Sequence, residues 1–250
     1  MQSIHIKNIM IITSNAIVLS ITRYNDDTII AETYTKTSGI VSFAVKINRS
    51  ARAAIRHTLF QPLAILELSW EEKSSQKKLQ RPKSAKTAYN YTSLTYDAHK
   101  MAMALFMAEF LHHALRNEPD SLYIYEYIEQ SLLWLDHCTR NFANFHLVFL
   151  VKLTHFLGIS PNVENPERYK YFDLRNGCFV GAQPTHTDFI PNPEAQFIPM
   201  LLRMRYENMH VFKFNGTERS RLLHDLNIYY RIHLEGFPEL KSLAILKEIF

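Results

Sequence analysis

Ala16-Ile17-Val18-Leu19-Ser20-Ile21, the cluster Asn25-Asp26-Asp27, and Thr28-Ile29-Ile30-Ala31-Glu32-Thr33-Tyr34-Thr35 together decide the fold. Both outer runs are short and rich in β-branched residues, the composition of strands with at least one face against a core. The Asn-Asp-Asp cluster between them supplies residues that tolerate tight turns. A second turn, Lys36-Thr37-Ser38-Gly39, leads into Ile40-Val41-Ser42-Phe43-Ala44-Val45, and its glycine stands where a positive φ is needed. Pro62 opens a fourth run, Leu63–Leu68, and a fifth strand is expected near Thr87–Tyr91. Several short strands in so little chain predict a small β-barrel, because closure leaves no unpaired edge.

Outward from this core the chain changes character. Arg49, Arg52 and Arg56 fall on one face if the connection after the third strand is helical, which its alanine richness favours, a loop being the alternative. Residues 71–86 hold six Lys or Arg and almost nothing to bury, which reads as a flexible loop or hairpin tip. Helices follow: Met101–Leu115, apolar nearly all round and therefore central; one from Pro119 to about His137; and Phe142–Leu157, stopped by Gly158 and Pro161. An irregular aromatic segment with a hairpin at Tyr171–Val180 precedes helices at Phe197–Tyr206, Thr217–Leu234 and Leu240–Phe250. Thr217 and Ser242 are the expected caps of the last two. The reading is thus α+β and multi-domain, with a five-stranded barrel at 1–86 and an all-α helical domain at 87–250.

Composition narrows the function. At 47% hydrophobic and 21% charged residues, the chain is an ordinary globular protein. No two of its six glycines stand in the spacing of a phosphate-cradling loop, which argues against the common nucleotide-binding enzymes. No signal-like or membrane-spanning segment is evident, so a cytoplasmic protein is expected. The net charge of +4 is unevenly spread: residues 1–90 carry +7 and residues 91–250 carry −3. A basic module joined to a mildly acidic one suggests a polyanion partner for the first.

The chemistry-bearing clusters then favour binding over turnover. Twelve histidines and two cysteines show no zinc spacing. His137, Cys138, Cys178 and His186 read as two buried thiols and two surface imidazoles rather than ligands, so no metal or other cofactor is expected. There is no nucleophile elbow, and Asp26-Asp27 and Glu71-Glu72 read as solvated loop charge, so no catalytic site is found. Arg23, Lys36, Lys46, Arg49, Arg52 and Arg56 cluster at strand ends, interleaved with Tyr24, Tyr34, Phe43, Tyr89 and Tyr91. Cations that track phosphates beside rings that stack on bases are the means of holding single-stranded nucleic acid. Phe43 alone reads better as core.

Seven features in order resemble the RecO family of bacterial DNA-repair recombination mediators. They are Ala16–Ser20 followed by Arg23-Tyr24 and Thr28–Ile30; Thr35 with Gly39; Lys46 with Arg49-Ser50; and Gln61-Pro62-Leu63. Further on come Phe149–Leu153 closing at Leu157-Gly158 and Pro161; Tyr171–Asn176 with Gly177 and Phe179; and Leu240-Lys241-Ser242-Leu243. The resemblance implies an N-terminal oligonucleotide-binding (OB) fold, single- and double-stranded DNA as ligands, strand annealing, and no bond-making chemistry. It also implies work with RecR and with the tail of single-stranded-DNA-binding protein to load RecA. The chain departs from the family in three places. Ile47 follows Lys46 where a glycine is common. Two cysteines cannot supply the four-cysteine zinc motif of some members. Apolar residues near Leu147 and Val148 replace tail-binding arginines, leaving Arg140 and Lys152 as candidates for the acidic tail.

Overall fold

Ala16, Ile17, Val18 and Leu19 are all buried to within 1% of complete, so the first apolar run is covered on both faces rather than one. That is why it reads as continuous rather than alternating. It lies in the middle of a strand far longer than the sequence suggests. In the computed structural model, which describes residues 10–47, 55–72 and 79–249, β1 runs Met10–Asn25. Its first half pairs antiparallel with β4 (Ile65–Glu72) and its second half with β2 (Thr28–Thr35). The register shifts between Val18 and Ser20, a bulge at Leu19 that lets one strand bend between the two partners.

β3 (Gly39–Lys46) pairs with β2, and β5 (Pro82–Thr87) pairs with β4, giving the antiparallel order β3-β2-β1-β4-β5. A parallel bridge from Phe43 to Gln80 joins the outer edges, with Ala44 N–H donating to the Gln80 carbonyl and Gln80 N–H to that of Ser42, each at 2.8 Å. This is a closed five-stranded OB-type barrel. Phe43, Val45, Leu66, Leu68 and Trp70 fill it, Phe43 meeting Trp70 edge to face at 5.4 Å. Full burial of such side chains stabilises by about 1.5–3 kcal/mol each. Gly39 takes φ +55°, as its turn demands, and a Cβ there would collide with Asp120.

The fifth strand corrects the sequence reading. It occupies Pro82–Thr87, inside the stretch read as a solvated loop, and not Thr87–Tyr91. Its lysines point out and are matched across the ladder, Lys86 to Glu67 at 3.5 Å and Lys83 to Glu71, while Ala85 points in. A lysine-rich strand is legible only together with the glutamates of its neighbour.

By contact grouping the chain forms two units: residues 1–90 with 119–129, and residues 91–118 with 130–250. Within the first, the Tyr34 hydroxyl both donates to the Ser121 carbonyl at 3.3 Å and accepts from its N–H at 3.2 Å, just ahead of α2 (Leu122–His137).

The second unit is built round α1 (Ala98–Ala114) and α3 (Phe145–Phe156), both buried on most sides. Asp97 caps α1 through the N–H groups of His99 and Lys100. A buried polar joint then ties α1 to the end of α2. Lys100, 2% exposed, donates through Nζ to Ser93 Oγ and to the carbonyls of Asp136 and Cys138. The Asp136 carboxylate accepts from the N–H groups of Thr92, Ser93 and Leu94 at 2.8–3.1 Å. Those donors outweigh the burial that opposes ionisation and hold its carboxyl far below the usual carboxylate range.

The hairpin is present as β6 (Tyr171–Asp173) and β7 (Cys178–Val180), extended by an unforeseen third strand, β8 (Phe189–Pro191). α4 (Phe197–Arg203) stops before Tyr206. α5 (Gly216–His233) is capped by Asn215 in a reciprocal box with Glu218, not by Thr217. α6 (Ser242–Ile249) is capped from α1: Glu109 accepts from the N–H groups of Lys241 at 3.0 Å and Ser242 at 2.8 Å. Ser242 itself donates its hydroxyl to that carboxylate. No described helix is long and apolar enough to cross a membrane.

Candidate nucleic-acid interface

The ladders place the basic residues of the barrel by simple geometry. Arg23 lies opposite Ile29, Ile29 opposite Val45, and Thr28 opposite Lys46. At about 4.8 Å per strand, Arg23 and Lys46 belong to one end of the barrel, with backbones about 10 Å apart. The parallel bridge at Phe43–Gln80 brings Arg81 to the same end. Thr28, Lys46, Ile55, Arg81 and Pro82 surround a cleft of about 280 Å³ there, with Ala44 and Val45 behind them. Lys46 and Arg81 are exposed, and neither has a carboxylate partner among the described residues. In OB folds the loops joining strands 1–2 and 4–5 flank the ligand face, and this cleft lies between them.

Arg81 is the residue the sequence reading missed. Its signal was present, a cation directly before Pro82 in a basic run, but that run was read as loop and its charge as solvated.

Arg23 stands at this end under restraint. Its Nη2 contacts Asp26 at 3.0 Å across the hairpin turn, both side chains being well exposed. Arg56 is exposed beside Ile55 and precedes the short helical turn His57–Leu59. Arg49 and Arg52, and with them the three-arginine face expected of a helical connection, lie outside the described residues.

Lys36 is apart from the others. It follows the far end of β2, about 23 Å from Lys46 along the strand at ~3.3 Å per residue. There it pairs with Glu126 at 3.3 Å and lies 5.9 Å from the centre of the Tyr125 ring. Among the aromatic residues, Phe43 is buried in the barrel core, Tyr34 is buried outside that core with its hydroxyl on Ser121, and Tyr24 is 68% exposed; Tyr89 and Tyr91 are half-buried.

In the second unit, Lys152 lies over the Tyr206 ring, its Nζ 5.0 Å from the centre, and Arg140 lines a depression of about 340 Å³ of which Tyr206 and Trp134 are also part. Trp134, Tyr206 and Phe145 stack at 4.9–5.8 Å with interplanar angles of 9–27°. Burial lowers the Lys152 ammonium from its ordinary value, and nearby Glu207 opposes the shift. His137 and His210 complete a rim that is basic apart from Glu207.

The other clusters are structural. Among the described residues no group of three or more His, Cys, Asp or Glu is placed to hold a metal ion. The two thiols are half-buried, and His186 is no surface imidazole: its side chain is 17% exposed, with Nε2 3.5 Å from Asp173. Cys178 lies opposite Asp173 in the β6–β7 ladder, and burial together with that carboxylate raises its thiol. A nucleophilic cysteine needs the opposite shift.

The described residues thus combine an OB-type barrel that is basic at one end with a following helical unit. The family model described as Recombination protein O N terminal matches residues 10–91, and that described as Recombination protein O C terminal matches residues 95–244. The chain is 44% identical over 234 residues to a protein named DNA repair protein RecO from Phocaeicola vulgatus, covering 94% of this chain and 97% of that one. It is 46% identical over 235 residues to the protein of that name from Bacteroides fragilis, with the same coverage. A third, from Flavobacterium psychrophilum, is 33% identical over 243 residues, covering 96% of this chain and all of that one. The chain belongs to the recombination protein O family, and its role lies in DNA repair.

Proposed function

We propose that this protein is a recombination mediator without catalytic residues, which binds single- and double-stranded DNA, anneals complementary strands and, with RecR, helps load RecA onto DNA coated by single-stranded-DNA-binding protein. The observation that carries the reading is the gathering of Arg23, Lys46, Arg56 and Arg81 at one end of a closed OB barrel, beside a cleft. In this reading Arg49 and Arg52, which follow Lys46 in the sequence, contribute as well, and Lys36 adds charge at the other end. Neutralising phosphates releases counterions and removes the repulsion that keeps two strands apart, which is what annealing requires. Residues 1–86 form the DNA-binding domain in this reading and residues 87–250 the partner-binding helical domain. The Trp134–Tyr206 depression, with Arg140 and Lys152 about it, suits an acidic tail such as that of single-stranded-DNA-binding protein. The protein acts in the cytoplasm, at the nucleoid.

Titration of a labelled oligonucleotide at two salt concentrations tests the reading. Each phosphate neutralised contributes about 0.7 to the logarithmic salt slope on single strands and about 0.9 on duplex. A slope near zero, or no binding at low salt, would leave only a partner-docking adaptor.

A further inference from the structure

Resting on the reading of the barrel as DNA-binding, we propose that the cleft between the end of β3 and the start of β5 receives an unpaired nucleobase, so that this site prefers single strands to duplex. A surface that only tracks phosphates needs cations and no cavity. Here Lys46 and Arg81 are exposed on a cleft whose other walls are Ala44, Val45, Ile55 and Pro82, with one hydroxyl from Thr28. Aliphatic and proline side chains are what bases pack against when they leave the stack. None of the lining residues is a carboxylate, so the site suits a base bracketed by phosphates.

Its size fits the same occupant. At about 280 Å³ it lies at the small end of ligand clefts, the scale of a single base rather than of a larger ligand. One wall is backbone-bonded: Ala44 and Gln80 belong to the bridge that closes the barrel, and Ile47 N–H donates to the Asp27 carbonyl at 2.8 Å. Other cations of the barrel lack this setting: Arg23 is held by Asp26, and Lys83 and Lys86 by Glu71 and Glu67. In a duplex every base is paired and stacked, so the apolar walls have nothing to receive.

The test compares three ligands of equal phosphate count, about twelve nucleotides long, within the site size of an OB fold. They are oligothymidylate, an abasic deoxyribose-phosphate strand, and a self-paired hairpin with the same number of nucleotides. The hairpin should bind no better than the abasic strand; a hairpin bound as tightly as oligothymidylate overturns the single-strand preference. Oligothymidylate should bind about tenfold more tightly than the abasic strand, because burying a base against apolar walls contributes beyond charge. The double variant K46A/R81A should weaken both strands by the same factor and leave their ratio unchanged. Ile55→Ala should lower the ratio several-fold and leave abasic binding unchanged. Equal binding of thymidylate and abasic strands by the wild-type protein overturns the base site while leaving the DNA-binding reading intact. Absence of binding to all three at low salt overturns that reading itself. Should Ile55→Ala fail to fold, the wild-type ratio still decides.

Discussion

Lys46 and Lys100 are the same residue type put to opposite uses, and the two units differ in the same way. In the barrel, cations stand exposed at strand ends, several of them held only by exposed carboxylates. In the helical unit, Lys100 is sealed under backbone carbonyls, Lys152 lies over a ring, and Arg219 donates to the Phe214 carbonyl. A charge left in water acts at long range and responds to salt, whereas one tied to carbonyls organises backbone. Net charge alone hides this division: the unit with the excess of cations leaves them exposed, and the other ties several of its own to carbonyls and a ring.

The comparison breaks first at the joint. Asp136→Ala strips acceptors from three backbone N–H groups and should destabilise the protein by about 3–5 kcal/mol, read as a large fall in thermal midpoint. A small fall would mean the helical unit does not depend on its buried charges.

The next largest effect is a gain. Burial raises the Asp225 carboxyl from 3.8 to about 6, with Glu194 adding to the rise and Arg221 opposing it. Between those values the folded chain keeps a proton that the unfolded chain has lost. Stability from this group is therefore complete below about pH 4 and declines as pH climbs to about 6, above which a half-buried carboxylate remains as a standing cost. Asp225→Asn should stabilise by about 1–3 kcal/mol at pH 7.5, and the advantage should vanish near pH 4. His146 runs the other way. Burial holds its imidazole neutral down to about 3, so its contribution is intact above about pH 6.5 and shrinks as the pH falls below that.

On the barrel, K46A/R81A should leave the thermal midpoint within about 0.5 kcal/mol of wild type. The same variant should flatten the single-strand salt slope by about 1.4. A change in stability with no change in slope would erase the contrast drawn here. The smallest expected effects belong to Lys36 and Asp26. Lys36→Ala removes an exposed ion pair worth at most about 1 kcal/mol and should change the slope by less than one phosphate's share. Asp26→Ala frees Arg23 and should tighten oligonucleotide binding at low salt only.

Much of the architecture was legible in the chain. Alternation in Ile40–Val45, glycine at 39 and the all-round apolarity of the first large helix each imply one local structure, and each is found. The charge partition located the basic module. What escaped was every feature whose partner is remote. Pro82–Thr87 is a strand because β4 pairs with it, its glutamates facing the lysines, and Met10–Ile12 extend β1 because β4 lies alongside. Ser242 was expected to cap its own helix, whereas the acceptor comes from Glu109 on α1.

The candidate site divides along the same line. The sequence identified which residues carry positive charge, because charge is a property of each residue. It could not say that Arg81 stands with Lys46 while Lys36 lies a strand's length away, because that depends on which strand edges close the barrel. By itself the sequence determined the barrel-then-helices order, the basic first third and the want of a phosphate loop, through composition and local periodicity. Tertiary structure decided which cations are exposed, which are joints, and where a cleft opens between them, because burial and pairing exist only once distant segments meet.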